Sequence, residues 1–310
     1  MSHASLLKSV LQVIVAIASI AIVILWIDAD RILDTAADGN VGLVFLVVVL
    51  MPVNVILEVL VWRPVVRPID PGQSIATLTR AVLAGFSLAL ITPARIGEFY
   101  GRTFESERAD RWKVAASVLI SRFGEQVVIA FGCLMAASVY SRAVGAEGWV
   151  RLLFPAAFVY WIALGLVFLA GDRLFSFRLL PRRVSQSFDF LASVSLADRY
   201  QSLGFAILRY VVFTIQFVLA VRAFGIDESM VVLLSTCAVV FFVRSVTPPV
   251  SFLDLGVREG AAAFVFGYAG MSNAAAFNAA LAIFGINVLM PALIGIPFAV
   301  RHLSKKESGA

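Results

Sequence analysis

The sequence predicts an all-α polytopic membrane protein of about six full spans and two broken, re-entrant hairpins, and three observations predict it. Hydrophobic residues make up 61% of the 310-residue chain and charged residues 15%, whereas a soluble domain carries roughly 25% charged residues to cover its surface. Apolar runs of about 18 residues or more recur, each long enough to cross roughly 30 Å of hydrocarbon. The runs are continuous, where a transmembrane β-barrel would alternate weakly over segments of about ten residues. No polar stretch is long enough to fold as a soluble domain, so residues 1–310 read as one membrane domain.

The first run, Leu7–Ile27, has Lys8 near its start and no small-residue cleavage site after it, which marks a retained span. An acidic segment leads to the second run, Val41–Trp62, followed by Arg63, Arg67 and Arg80. Later runs cover Val114–Tyr140, Val150–Ala170, Leu203–Phe224, Met230–Val246 and Ala274–Val300. Arg173, Arg178, Arg182, Arg183 and Arg199 lie between Ala170 and Leu203, and Arg301, Lys305 and Lys306 follow the last run. The positive-inside bias puts these segments and both termini in the cytoplasm of a bacterial-type plasma membrane.

Ile75–Ile91 creates a conflict. As an ordinary span it would carry Arg95, Arg102, Arg108, Arg111 and Lys113 to the outside; as a hairpin that dips in and returns it keeps them cytoplasmic. The run Met230–Val246 is similarly short, is broken by Thr247-Pro248-Pro249, and continues as Phe252–Ala269. A full crossing by this later hairpin would raise the count to eight spans. The breaks Thr92-Pro93 and Thr247-Pro248 stand 155 residues apart, half the chain. The halves, about 1–145 and 146–310, would each cross three times, so the second would be inverted relative to the first. In transporters, broken helices at matching positions of inverted repeats point to the substrate site.

Scarcity narrows the chemistry. The only histidines are His3 and His302, in the tails, which excludes a Ser-His-Asp triad, histidine-ligated zinc or haem inside the protein. Cys133 and Cys237 sit alone in apolar runs, without metal-ligand spacing. There is no P-loop, dinucleotide fingerprint, nucleophile elbow or calcium loop. No cofactor, metal or nucleic-acid partner is expected, and the oligomeric state is open.

Charged side chains deep in a bilayer cost roughly 2.5–3.5 kcal/mol each on insertion scales, so each needs a partner or a use. The first break reads L-I-T-P-A-R-I-G-E-F-Y-G-R. Thr92 suits an N-cap and Pro93 a first helical position, placing Arg95 in the first turn beside free N–H groups, an anion site. Glu98 would pair with Arg95 or Arg102, and Gly97 permits close approach of a backbone or ligand. The second break offers Thr247, Asp254, Gly256, Arg258 and Glu259, with Arg244 just before it. Between the breaks, Arg122, Glu125 and Gln126 lie about one turn into the third span. Glu58, Asn278 and Asn287 read as helix–helix hydrogen-bonding groups. Mutual pairing that merely locks broken helices is the competing reading of all these charges.

T-P-x-R-I-G-E-x-x-x-R (Thr92 to Arg102), Arg122 early in the next span, and P-x-x-F-L-D-L-G-V-R-E-G (Pro249 to Gly260) together resemble the lysylphosphatidylglycerol synthase transmembrane-region family, also called flippase-like membrane proteins. The resemblance spans essentially the whole chain, as a stand-alone membrane domain. It departs from the family at Ser121, where a glutamate is common, and at Phe252-Leu253, where a glycine-rich turn is usual. The resemblance implies movement of an aminoacylated phospholipid, or a polyprenyl-phosphate-linked sugar, between leaflets, with a separate lipid-modifying enzyme as a partner.

The resulting expectation is a flippase, not an enzyme. Thr92, Arg95, Gly97, Glu98, Arg102, Arg122, Glu125, Thr247, Asp254, Gly256, Arg258 and Glu259 would line the site. Arg95 and Arg258 would hold the phosphate of a membrane lipid substrate while Glu98 and Glu259 orient them. Two other classes compete with it: a membrane-embedded lipid phosphatase or phosphotransferase, and a secondary transporter of a small anion.

Overall fold

The computed structural model describes residues 27–92, 95–106, 109–145, 148–175, 186–247 and 254–307. All but the last residue of the predicted first span lies outside them, as do Pro93, Arg108, Arg178, Arg182, Arg183 and Pro248 to Leu253. Among the described residues the chain is helical: α1 Ala29–Ala37, α2 Val41–Val66, α3 Ile75–Ile91, α4 Ile96–Arg102, α5 Arg111–Val144, α6 Val150–Phe175, α7 Leu196–Ala223, α8 Met230–Val246, α9 Asp254–Tyr268, α10 Asn273–Phe284 and α11 Met290–Glu307. A π-helical turn, Gly285–Leu289, joins α10 to α11 in one continuous rod. Five helices are long and apolar enough to cross a membrane: α2, α5, α6, α7 and the α10–α11 rod. The protein is an all-α polytopic membrane protein.

Polar residues set where these helices begin. Asn40, Ser74, Asp110, Ser195, Ser229 and Ser272 each accept a backbone N–H of the first turn that follows, which satisfies a donor with no partner inside the helix. At its far end α6 bends at Ala170. There the buried Arg199 donates to the carbonyls of Phe168 (3.2 Å), Leu169 and Leu191 (2.9 Å). That arginine clamps helix ends together, a role beyond the topology signal read from sequence.

The centre of the fold is the packing of α2 against α7. Gln216 Nε2 donates to the Val47 carbonyl (2.9 Å), Arg209 Nε to Asn54 Oδ1 (2.9 Å) and Ser202 Oγ to the Val61 carbonyl (2.8 Å). As the α2 partner advances from 47 to 54 to 61, the α7 partner retreats from 216 to 209 to 202, so the helices run antiparallel. Residues 47 and 202, 54 and 209, and 61 and 216 also stand 155 apart. The exchange that carries one half's numbering onto the other's therefore turns the first bond's positions into the third's and leaves the Asn54–Arg209 pair in place.

The same spacing recurs outside this pair. The 17-residue helices α3 and α8 begin 155 positions apart, each capped by a serine and ended by a threonine, Thr92 or Thr247. Both threonine hydroxyls bond back four residues, to the Leu88 carbonyl (2.7 Å) and the Val243 carbonyl (2.8 Å). α3 packs against α11, the end of the second half, while α8 packs against α5, the end of the first. The return arms differ: α4 has 7 residues and α9 has 15.

Candidate functional site

Backbone contact positions α4. A Cβ on Gly101 would lie 2.6 Å from Gly85 Cα, and one on Gly97 would lie 2.6 Å from Thr92 Oγ1 and nearer still to the Leu88 carbonyl. Glycine at both places lets α4 fold back along α3 at a distance no side chain would allow. Thr92 locks the turn, since its hydroxyl accepts the Gly97 N–H (2.7 Å) while donating to Leu88. Thr92 is thus the C-cap of α3, and Arg95, left-handed at φ 55°, precedes α4 instead of lying in its first turn. The expected anion site at this helix end is corrected accordingly: the helix has only 7 residues and Thr92 already takes the Gly97 N–H.

The hairpin delivers Glu98 and Arg102 to a charged cluster assembled from four helices. Arg102 donates to Glu98 Oε1 (2.6 Å) and to Glu58 on α2. Arg122 on α5 reaches Glu58 (Nη1 to Oε2, 3.1 Å), Glu125 (2.6 Å) and Glu98. Arg209 on α7 pairs with Glu58 (2.7 Å) and Glu125. Arg95 reaches Glu98 Oε2 at 3.3 Å. Among the described residues four guanidinium groups thus face three carboxylates, leaving one positive charge in excess. Arg102 is 0% exposed and stacks on Trp62 at 5.2 Å, and its Nε and Nη1 find no acceptor among the described residues. Arg95, Arg122 and Arg209 remain 23–27% exposed.

A neutral network adjoins the charged one. Gln216 Oε1 accepts from Asn54 (3.0 Å) and from Asn287 (3.0 Å), which belongs to the π-helical turn. Asn278 donates to the Ile32 carbonyl (2.9 Å), tying α10 to α1. The asparagines are the helix–helix links expected of them. Glu58 is more than that, because three arginines converge on it.

The second break is built differently. Asp254 opens α9, and Gly256, at φ 93°, takes a backbone conformation that favours glycine. Glu259 Oε2 accepts the Gly256 N–H (2.6 Å), and its Oε1 has no donor among the described residues. Arg258 is buried with its guanidinium over the Phe284 ring at 5.4 Å. Glu98 pairs with Arg95, Arg102 and Arg122, so the structure gathers the predicted residues of the first break and the third span into one group, while Glu259 bonds within α9 and Arg258 lies on the Phe284 ring of α10. Arg209 escaped the sequence reading because it sits in a run otherwise apolar enough to pass as plain lipid-facing helix; its 155-residue offset from Asn54 was the available signal.

Residues 10–295 match the family described as the lysylphosphatidylglycerol synthase TM region. No curated protein and no solved structure matches the chain.

Proposed function

The chain belongs to the lysylphosphatidylglycerol synthase TM-region family, and from that premise we propose that it carries an anionic, phosphate-bearing lipid headgroup between leaflets. One observation carries the reading: a cluster that among the described residues has a single positive charge in excess, drawn from α2, α4, α5 and α7. Interior ion pairs usually gain little net stability over well-packed apolar residues, so seven charges in an apolar interior call for another use. A phosphodiester bears one negative charge and would neutralise the cluster. Arg95, Arg122 and Arg209, being partly open, would take its oxygens, while Glu58, Glu98 and Glu125 hold the guanidinium planes in place. Lipid tails would stay in the hydrocarbon as the headgroup passes.

The antiparallel register of α2 and α7 supports an inverted repeat as the vehicle. A lone crossing by α3 would make these two helices parallel, whereas a hairpin that enters and leaves at one face makes them antiparallel. In this reading α3–α4 and α8–α9 are such hairpins, the basic loops face the cytoplasm of a bacterial plasma membrane, and the halves rock about the Asn54–Arg209 contact. Arg258, Glu259 and Gly256 then serve the second half's part of the route. A separate enzyme would supply or consume the lipid, and the protein itself performs no bond chemistry. Native mass spectrometry of the purified protein tests the headgroup assignment. Phosphatidylglycerol is expected to bind in preference to phosphatidylcholine, with the preference lost in Arg209→Gln. Equal binding of both lipids by the unaltered protein would overturn it.

A further inference from the structure

A cavity of about 630 Å3, lined by no member of the charged cluster, lies where α2 has ended, α3 begins, α4 has turned back and α11 ends. Its walls carry charges of both signs: Arg80 and Arg301 on one account, Asp70 and Glu105 on the other. We propose that this cleft is a second binding site, for a zwitterionic headgroup made of a phosphate ester and a primary amine.

Phosphate would be met by the Arg80 and Arg301 guanidiniums. The start of α3, whose cap Ser74 and next-turn Thr77 also line the cleft, adds the positive end of a 17-residue helix. The amine would donate to Asp70 and Glu105. Arg80 and Glu105 are only loosely committed to each other: they meet at 3.3 Å with the two side chains 41% and 30% exposed, and exposed pairs of this kind contribute about 0–1 kcal/mol. Exchanging that pair for a ligand that satisfies both partners therefore costs little. Gln73, in the same wall, donates to Asp70 and to Ser106 Oγ (2.9 Å), while its Oε1 has no donor among the described residues. The Phe104 and His302 rings, stacked at 4.2 Å, join the turn after α4 to the end of α11 and so fix two walls relative to each other. A quaternary amine has no N–H to offer the carboxylates, and a simple anion would meet them with like charge. Both should bind less well.

The headgroup of phosphatidylethanolamine and free phosphoethanolamine share this chemistry, and the test separates them. Thr77→Cys places a thiol in the cleft, and the native cysteines are buried. Its alkylation by neutral iodoacetamide is followed in nanodiscs of phosphatidylcholine alone, with added phosphatidylethanolamine, with added phosphatidylglycerol, or with soluble phosphoethanolamine. At ten times the apparent Kd, alkylation should slow about tenfold. Slowing by phosphatidylethanolamine alone supports the site with a lipid source; slowing by phosphoethanolamine as well supports it with a free-ester source. Arg80→Gln combined with Arg301→Gln should abolish the effect, and an Ala197→Cys control on exposed α7 surface should not show it. Equal rates under all four conditions, equal slowing by phosphatidylglycerol, or slowing that survives the double substitution would overturn the proposal. The readout is binding and not transport, so its failure is distinct from failure of the flippase reading.

Discussion

Replacing Glu58 by glutamine tests whether the cluster acts as one charged unit. The carboxylate is 3% exposed and receives Arg102, Arg122 (2.7 Å at Oε1) and Arg209 (2.7 Å at Oε2). Glutamine keeps the shape, removes a negative charge and turns an amide NH2 towards guanidinium groups. Four positive charges would then face two negative ones. Removing one partner of a buried pair costs about 3–5 kcal/mol, because the other charge stays buried. Arg102 retains Glu98 at 2.6 Å and Arg122 retains Glu125 at 2.6 Å, which sets the expectation near the lower end, about 3 kcal/mol. Reversible unfolding in mixed micelles would measure it. Combining Glu58→Gln with Arg209→Gln removes both members of one pair, and the double variant should fall short of additivity by about 1–3 kcal/mol. A loss below about 1 kcal/mol for Glu58→Gln, or strict additivity in the cycle, would refute the reasoning.

Gly97→Ala should force α3 and α4 apart, since the new methyl would stand 2.6 Å from Thr92 Oγ1 and closer to the Leu88 carbonyl; a loss of about 1–3 kcal/mol is expected in micelle unfolding, together with loss of lipid binding as Glu98 moves. Thr92→Val keeps the volume but leaves the Gly97 N–H without its acceptor, and should cost about 1–3 kcal/mol in the same measurement. Gln216→Leu breaks the links to Val47, Asn54 and Asn287; interhelical hydrogen bonds in membranes average about 0.6 kcal/mol each, so a loss of about 1–2 kcal/mol is expected with headgroup preference retained, because no member of the charged cluster is removed.

The all-α membrane class was legible in the sequence because a bilayer restricts a chain to few solutions: long apolar runs must be helices. The surplus of arginine after Ile91 raised the expectation of a hairpin there, and in the structure α4 packs against α3 through Gly85, Gly97 and Gly101. Glu98, Arg102, Arg122 and Glu125 were legible as a group because they lie at helical spacing in two short motifs. Glu58 and Arg209 join them from helices distant in sequence, and no local spacing records that α2 and α7 cross with positions 54 and 209 in contact. Nor did local motifs show that Arg258 and Glu259 would serve α9 and α10 instead of Glu98. Motifs report composition at each break; only packing reports which charged side chains pair.

The most direct measurement is leaflet exchange of a fluorescent anionic phospholipid in proteoliposomes holding the purified protein, read by quenching from outside. The unaltered protein is expected to expose the lipid of the inner leaflet well above the level of protein-free vesicles, and Arg122→Gln, with its fold verified by circular dichroism, to return exchange to that level. Exchange no faster than in protein-free vesicles, or undiminished in the Arg122→Gln variant, would contradict the claim that this cluster carries the headgroup.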